Sequence, residues 1–536
     1  MTEWNLNSRG LQRLPPRMTP QVVFRLTFAC IIVGEAAMLL WVGRKEWYFF
    51  DEWRLVVERV VPHAHGPFSL FKQMFRPDGE HVVGLPLTFF VIIVRLFGID
   101  TYWPFVFVNI LIRVATLVIL DDICRRVGAR RLVRLVAVAG IAFFGEGFES
   151  LFGQSIMFAG FTLIFCLLAI RSSLKTDVTE RRAGAESATF LTCSILSSSY
   201  GFPLVAGVAL FYLLTRRRRA SAVSLLIPPV VFIAVRLICG GQYTQQKPVA
   251  AGRLGLYIRY VQEGLSTVGE AILGMDGIGI AAFIAVVAVC LFLVTDDRSR
   301  AMVISMLVAI VLFYFEASLS RSVLGAGQAR AATRYTFFCG VLAVIMLAAA
   351  WGRRRVEPRW AAIISLVIAG SLANGVAWLI DGSGYFTSKM EVSRARLALG
   401  LAIIDHGDAF YVPDAEWAAD LLHERLQALI DSPYDDGFMA EADKCYDHWN
   451  QELVRAGINE NALVGDEKAA LMVALSEHSL GIGAADLTFD VLVELARQNV
   501  GGSGMFAQFQ SAYTVLASDH IAPSTFIPTT ARCKRL

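Results

Sequence analysis

Long apolar stretches separated by short arginine-rich turns fill residues 1–380, and beyond them the pattern changes to helix-period alternation. Val22 to Val42 is the first stretch and has the length a bilayer crossing needs, about 20 residues. Tyr102 to Leu120 is the second of that kind. Basic residues follow it at once: Arg125, Arg126, Arg130, Arg131 and Arg134. Lys and Arg collect on the cytoplasmic side of membrane spans, so this turn is predicted to be inside. Further basic turns at Arg171 to Arg182, Arg216 to Arg219 and Arg353 to Arg355 mark the same side. The pattern predicts about eleven transmembrane helices: 22–42, 102–120, 135–144, 156–170, 187–199, 202–214, 221–239, 278–294, 302–315, 337–350 and 360–380. The amino terminus is then inside, and residues 381–536 are outside.

Gly84 to Phe97 is apolar but is only about 14 residues long and contains Arg95, too short for a span. Only one crossing is allowed between Val42 and the basic turn after Leu120. Gly84 to Phe97 is therefore predicted to lie in the outer interface, within a long first external loop, residues 43–101. Glu35, inside the first span, is predicted to face protein rather than lipid. Tyr200-Gly201-Phe202-Pro203 is predicted to hinge two short spans. Gly240 to Glu270 reads as a polar external loop.

Composition agrees with this class. The chain has 536 residues, is 55% hydrophobic and 18% charged, and has a mean hydropathy of +0.54, values that exclude an ordinary soluble enzyme. Residues 381–536 hold 11 Lys and Arg against 23 Asp and Glu, a net of −12, whereas residues 1–380 hold 38 against 23, a net of +15. Three domains follow: a cytoplasmic arm, 1–21; an all-α polytopic membrane domain, 22–380; and a small, mostly helical extracytoplasmic domain, 381–536. The expected location is a plasma (inner) membrane, multi-pass and of bacterial type, since no Asn-x-Ser/Thr sequon occurs. The nine cysteines show no metal spacing. Cys445 and Cys533 are the only thiols of the outer domain, where an oxidising compartment permits a bridge.

Candidate chemistry gathers on the predicted outer side. Asp51 and Glu52 sit inside the aromatic run Trp47 to Trp53, directly after the first span. Ionisable groups at a membrane boundary are candidate site residues, although an interfacial aromatic belt beside two solvated acids has the same composition. Glu146 and Glu149 lie in the next external turn. Arg321, Arg330 and Arg334 lie on the side that basic residues normally avoid. Guanidinium forks suit phosphate, and the bland reading pairs them with the acidic tail or lipid headgroups. His63, His65, Asp78, Glu80 and His81 form a loose set of possible divalent-metal ligands, more readily hydrogen-bonding groups for a sugar. No cofactor is expected with certainty, and no metal site is assigned.

The outward first span ending in an aromatic-Asp-Glu-Trp stretch, the interfacial helix after Glu80-His81-Val82-Val83-Gly84-Leu85-Pro86, and the arginine-rich turn after the next span together resemble the GT-C class of lipid-linked glycosyltransferases. The paired short spans at Tyr200-Gly201 and the outer domain after the last span match it too. The resemblance covers the layout of the membrane part and rests on few residues. It implies Asp51 as catalytic base, with Glu52 less favoured and Glu149 or Glu146 as a second acid. Arg334, beside Tyr335, is the first expectation for binding the donor phosphate, then Arg330 and Arg321. His81, Glu80, Tyr200 and Tyr335 are expected to touch substrate. The implied partners are a polyprenyl-phosphate-linked sugar donor, membrane lipid, and a glycan, lipid or protein acceptor, with no nucleic acid. A transporter or flippase of lipid-linked glycan and a non-catalytic assembly protein are the competing classes.

Overall fold

The computed structural model describes residues 19–44, 55–62, 66–77, 81–99, 101–150, 154–240, 254–351 and 369–384 except 371, with the single residues 46, 48, 52, 390, 432, 443, 447 and 451. The helices begin where the sequence supplies caps. Thr19 Oγ1 accepts the Val22 amide and Pro20 opens α1 (Pro20–Gly43). The Asp296 carboxylate caps α12 (Asp297–Arg321) by accepting the Ser299 amide at 2.9 Å. In chain order the others are α2 (Pro67–Phe75), α3 (Gly84–Phe97), α4 (Trp103–Arg126), α5 (Arg131–Ala142), α6 (Gln154–Ser173), α7 (Glu180–Ile195), α8 (Phe202–Leu214), α9 (Arg218–Cys239), α10 (Leu254–Leu273), α11 (Ile280–Leu293), α13 (Gly327–Ala331), α14 (Thr333–Trp351) and α15 (372–384). The fold is all-α, and no strand occurs among the described residues.

Among the described residues five helices are long and apolar enough to cross a membrane: α1, α4, α9, α12 and α14. They correspond to five of the eleven expected spans. α6, α8 and α11 match further expected spans but are shorter apolar segments. α5 and α7 are 12 and 16 residues long, and α15 covers the end of the expected last span. The expected outer domain, with Cys445 and Cys533, lies almost wholly outside the described residues.

The turns segregate to two ends of the bundle. At one end Arg171 Nε meets Asp122 Oδ2 at 2.5 Å, Arg134 Nε meets Asp121 Oδ1 at 2.8 Å, and Arg217 donates to the Lys175 carbonyl at 2.8 Å. Arg298 donates to the Leu174 carbonyl at the same end. At the other end lie Ser199, the turn Gly145–Ser150 and the start of α14. α3 begins beside Leu196, whose carbonyl accepts the Leu85 amide at 3.4 Å. It finishes where the Tyr48 hydroxyl donates to the Gly98 carbonyl at 3.3 Å, just before α4. Both ends of α3 therefore lie at the Ser199 end of the bundle.

Within the bundle Glu35 is buried, as its position predicted, and Arg113 Nε donates to its Oε1 at 2.7 Å. Arg113 also donates to the Ile141 carbonyl at 2.9 Å and stacks 4.4 Å over the Phe337 ring. One ion pair thus ties α1, α4, α5 and α14 together. Gly145 and Gly375 let two backbones touch: a Cβ on either would collide with a carbonyl oxygen of the opposing segment, which is how α15 packs on the 143–148 turn.

One sequence expectation is corrected. The segment Gly240 to Glu270 is not a loop throughout, because Leu254–Leu273 is a 20-residue helix. Its buried residues are Tyr260, Val268 and Ala271 together with the small or polar Gly264, Ser266, Thr267, Gly269 and Glu270. Gly264 lies against the Tyr314 ring and Gly269 against the Phe283 backbone. Close packing through small residues adds to the bulk of Tyr260 and Val268 on this face.

Candidate functional site

An open cleft lies at the Ser199 end of the bundle, with about 320 Å³ of empty space that includes open solvent. Three parts of the fold build it. The first is His81, just before α3. The second is the single turn Ser199–Gly201, which carries Ser199 and Tyr200 between α7 and α8. The third is the ends of α12 and α14, with Phe313, Glu316, Ala317, Ser320 and Arg321 from one and Tyr335 from the other. The α12 residues are spaced i, i+3, i+4, i+7 and i+8, a single helix face.

His81 Nδ1 and Ser199 Oγ are hydrogen-bonded at 2.8 Å, and the imidazole meets the Tyr200 ring edge-on at 5.5 Å. Burial first, and then the guanidinium groups of Arg321, Arg334 and Arg236, hold the His81 pKa down to about 4. His81 is neutral at pH 7, so its ring can accept as well as donate a hydrogen bond. Tyr200 and Tyr335 contact each other edge-on at 5.5 Å.

Arg334 is clamped beside this cavity. Its backbone N and its Nη1 donate to Glu149 Oε2 at 3.2 and 3.3 Å, and its Nε donates to the Tyr200 hydroxyl at 3.3 Å. The guanidinium stands 5.3 Å from the Tyr335 ring centre. Arg321 has no hydrogen-bond or ion-pair partner among the described residues and is half-buried on the cavity wall. Arg236, at the end of α9, acts electrostatically on His81 together with Arg321 and Arg334, and of the three Arg321 lines the cavity. The arrangement can hold an anion such as a phosphate, with hydroxyls and a neutral imidazole to orient what is attached.

Of the residues predicted from sequence, His81, Tyr200, Tyr335 and Arg321 line the cavity and Arg334 adjoins it. Arg330 does not. It donates from Nε to Glu263 Oε1 and from Nη2 to Glu270 Oε2, both at 2.8 Å, and so fastens α13 to α10. Glu52 is buried and accepts a 2.5 Å hydrogen bond from the Tyr102 hydroxyl, away from the cavity. Asp51, Glu80, His63, His65 and Asp78 lie outside the described residues, as does the side chain of Glu146. Among the described residues no group of three or more His, Cys, Asp or Glu side chains is disposed to hold a metal ion.

Glu316, Ser199, Ser320 and Arg236 were not singled out by sequence. The signal for Glu316 was present: one charge at the end of an apolar helix, four residues before Ser320 and five before Arg321. No protein-family model, curated protein or solved structure matches the chain.

Proposed function

We propose that this protein is a membrane glycosyltransferase that takes a sugar from a polyprenyl-phosphate donor and passes it to a cell-envelope glycan, lipid or protein on the outer face of the membrane. The observation that supports it best is that Arg321, Tyr200, Tyr335 and neutral His81 line one open cavity, with Arg334 held against Tyr200 beside it. That cavity is at the end of the bundle opposite the arginine-rich turns, where the positive-inside rule sets the outer face. The reading includes eleven spans, an interfacial α3 and the resemblance to the GT-C class.

The reaction needs two things from the protein. A carboxylate takes the proton from an acceptor hydroxyl, a step that contributes about 10²–10⁴-fold. The acceptor oxygen then bonds to the anomeric carbon as the bond from that carbon to the phosphate oxygen breaks. Polyprenyl phosphate leaves with the electron pair, and fixed cations stabilise it, typically by several kcal/mol. Arg321 and Arg334 are the cations. Asp51 is the base by the resemblance, and Glu316 is the carboxylate on the cavity wall that competes for that role.

Transfer of radiolabelled monosaccharide from a polyprenyl-phosphate donor by the purified protein in lipid nanodiscs tests the reading. Wild type is expected to release polyprenyl phosphate, Arg321→Ala to need about tenfold more donor, and Asp51→Asn to lose most of its rate. No release by wild type with hexose or pentose donors overturns the proposal. The buried Glu35–Arg113 pair favours a second reading, translocation of lipid-linked glycan, because transporters place charges inside the bundle. Movement of a labelled lipid-linked glycan between leaflets without transfer is the result that distinguishes it.

A further inference from the structure

We propose that Glu149 is a positioning residue that holds Arg334 against Tyr200 at the edge of the cavity, and that it is not an acid or base of the reaction. The inference rests on the glycosyltransferase reading for what Arg334 binds, but its geometry is local. Glu149 sits in the turn Gly145–Ser150, between α5 and α6. Its own amide donates to Thr333 Oγ1 at 3.1 Å, and its Oε2 accepts the Arg334 amide at 3.2 Å. The two bonds run in opposite directions across the start of α14 and satisfy one of the orphan donors of its first turn. The same Oε2 accepts Arg334 Nη1 at 3.3 Å. One carboxylate oxygen therefore fixes both the backbone and the side chain of Arg334.

Neither Glu149 nor Arg334 lines the cavity. Glu149 reaches it through Arg334, whose Nε donates to the Tyr200 hydroxyl, and Tyr200 is a lining residue. An acid or base must stand within hydrogen-bond reach of the proton it moves. A counter-ion for a phosphate-binding arginine needs only to hold the fork in place, and the bent chain Glu149–Arg334–Tyr200 does that. Packing keeps the turn itself in place, since a Cβ on Gly147 would collide with Phe337, and Phe144 packs on the same ring at 6.1 Å. A negative charge at the N-terminus of α14 is also favoured by the helix dipole.

The test separates donor binding from turnover. Glu149→Gln keeps the size and one acceptor oxygen and removes the charge. It is expected to raise the donor KM about tenfold while kcat stays within about twofold, the signature of lost uniform binding. Glu149→Asp, which keeps the charge, is expected to recover part of the loss. Arg334→Ala is expected to weaken donor use similarly. The double variant is expected to be no worse than Arg334→Ala alone, since the two act as a unit. Calorimetric binding of a short-chain polyprenyl phosphate to the full chain in detergent reads the same effect without turnover. Melting temperatures within a few degrees of wild type show that the variants fold. A collapse of kcat at unchanged KM, or fully additive losses in the double variant, overturns the proposal. If wild type transfers no sugar but binds polyprenyl phosphate, and Glu149→Gln weakens that binding tenfold, the positioning role stands and the glycosyltransferase reading falls.

Discussion

His81 shows how one side chain reports on its surroundings. Its folded-state pKa of about 4 lies below the unfolded value of about 6.5, so stability gained by keeping it neutral is complete above pH 6.5. That contribution falls away as pH drops from about 6.5 toward 4, because the unfolded chain takes up a proton that the folded site refuses. Wild type is expected to lose up to roughly 3 kcal/mol more than His81→Asn over that window, measured by thermal unfolding in detergent at matched ionic strength. Parallel pH profiles for the two proteins would remove the effect. At this scale the sequence was partly legible. His81, Tyr200, Arg321 and Tyr335 are scattered over 255 positions yet share one cavity, because each ends an apolar stretch on the predicted outer side. Arg330 shared that signal and points elsewhere, since the carboxylates that hold it lie on a helix the hydropathy pattern did not mark. Which of two neighbouring arginines meets the cavity depends on packing between α10 and α13, and spacing along the chain does not encode it.

At the scale of elements, the buried pair between α1 and α4 decides how the first span stands. Arg113 has 3% and Glu35 1% of its side-chain surface exposed. Taking one member away leaves the other charged and buried, a loss of roughly 3–5 kcal/mol, whereas replacing both by apolar residues of similar volume is often neutral. Glu35→Ala is therefore expected to melt well below wild type in detergent. Glu35→Leu with Arg113→Met is expected to return most of the way. If the single variant melts like wild type, the pair does not hold α1. The sequence made Glu35 legible as a protein-facing residue because an acid in a span has nowhere else to go, but its partner could not be read from it. Helix bounds were legible where bulk apolar residues carry the packing, as in Gly84–Phe97 and Phe202–Leu214, both anticipated to the residue. They were not legible in α10, whose buried face is mostly small and polar.

For the whole molecule, the two-ended arrangement of turns supports the proposed topology. α4 and α6 run side by side from the Ser199 end to the Asp122 end, and Arg171 reaches across to Asp122 between their last turns. α3 starts and finishes at the Ser199 end, with Gly84 next to His81 and Gly98 next to Tyr48. A helix of 14 residues is about 21 Å long, short of the roughly 30 Å hydrocarbon core, which fits the proposed interfacial placement of α3. On the proposed topology α4 supplies the single crossing between Val42 and Asp121. On that proposal the basic turns give the sign, since Arg125, Arg126, Arg134 and Arg171 gather around Asp121 and Asp122 at one end. A reporter fused after Asp100 is expected to score as external, one after Gly128 as cytoplasmic, one after Gly147 as external and one after Asp177 as cytoplasmic. A fusion after Asp100 that scores as cytoplasmic would mean that α3 crosses. It would invert every later turn, set the cavity on the same side as the arginine-rich turns, and leave a sugar donor of the outer leaflet with no access to Arg321.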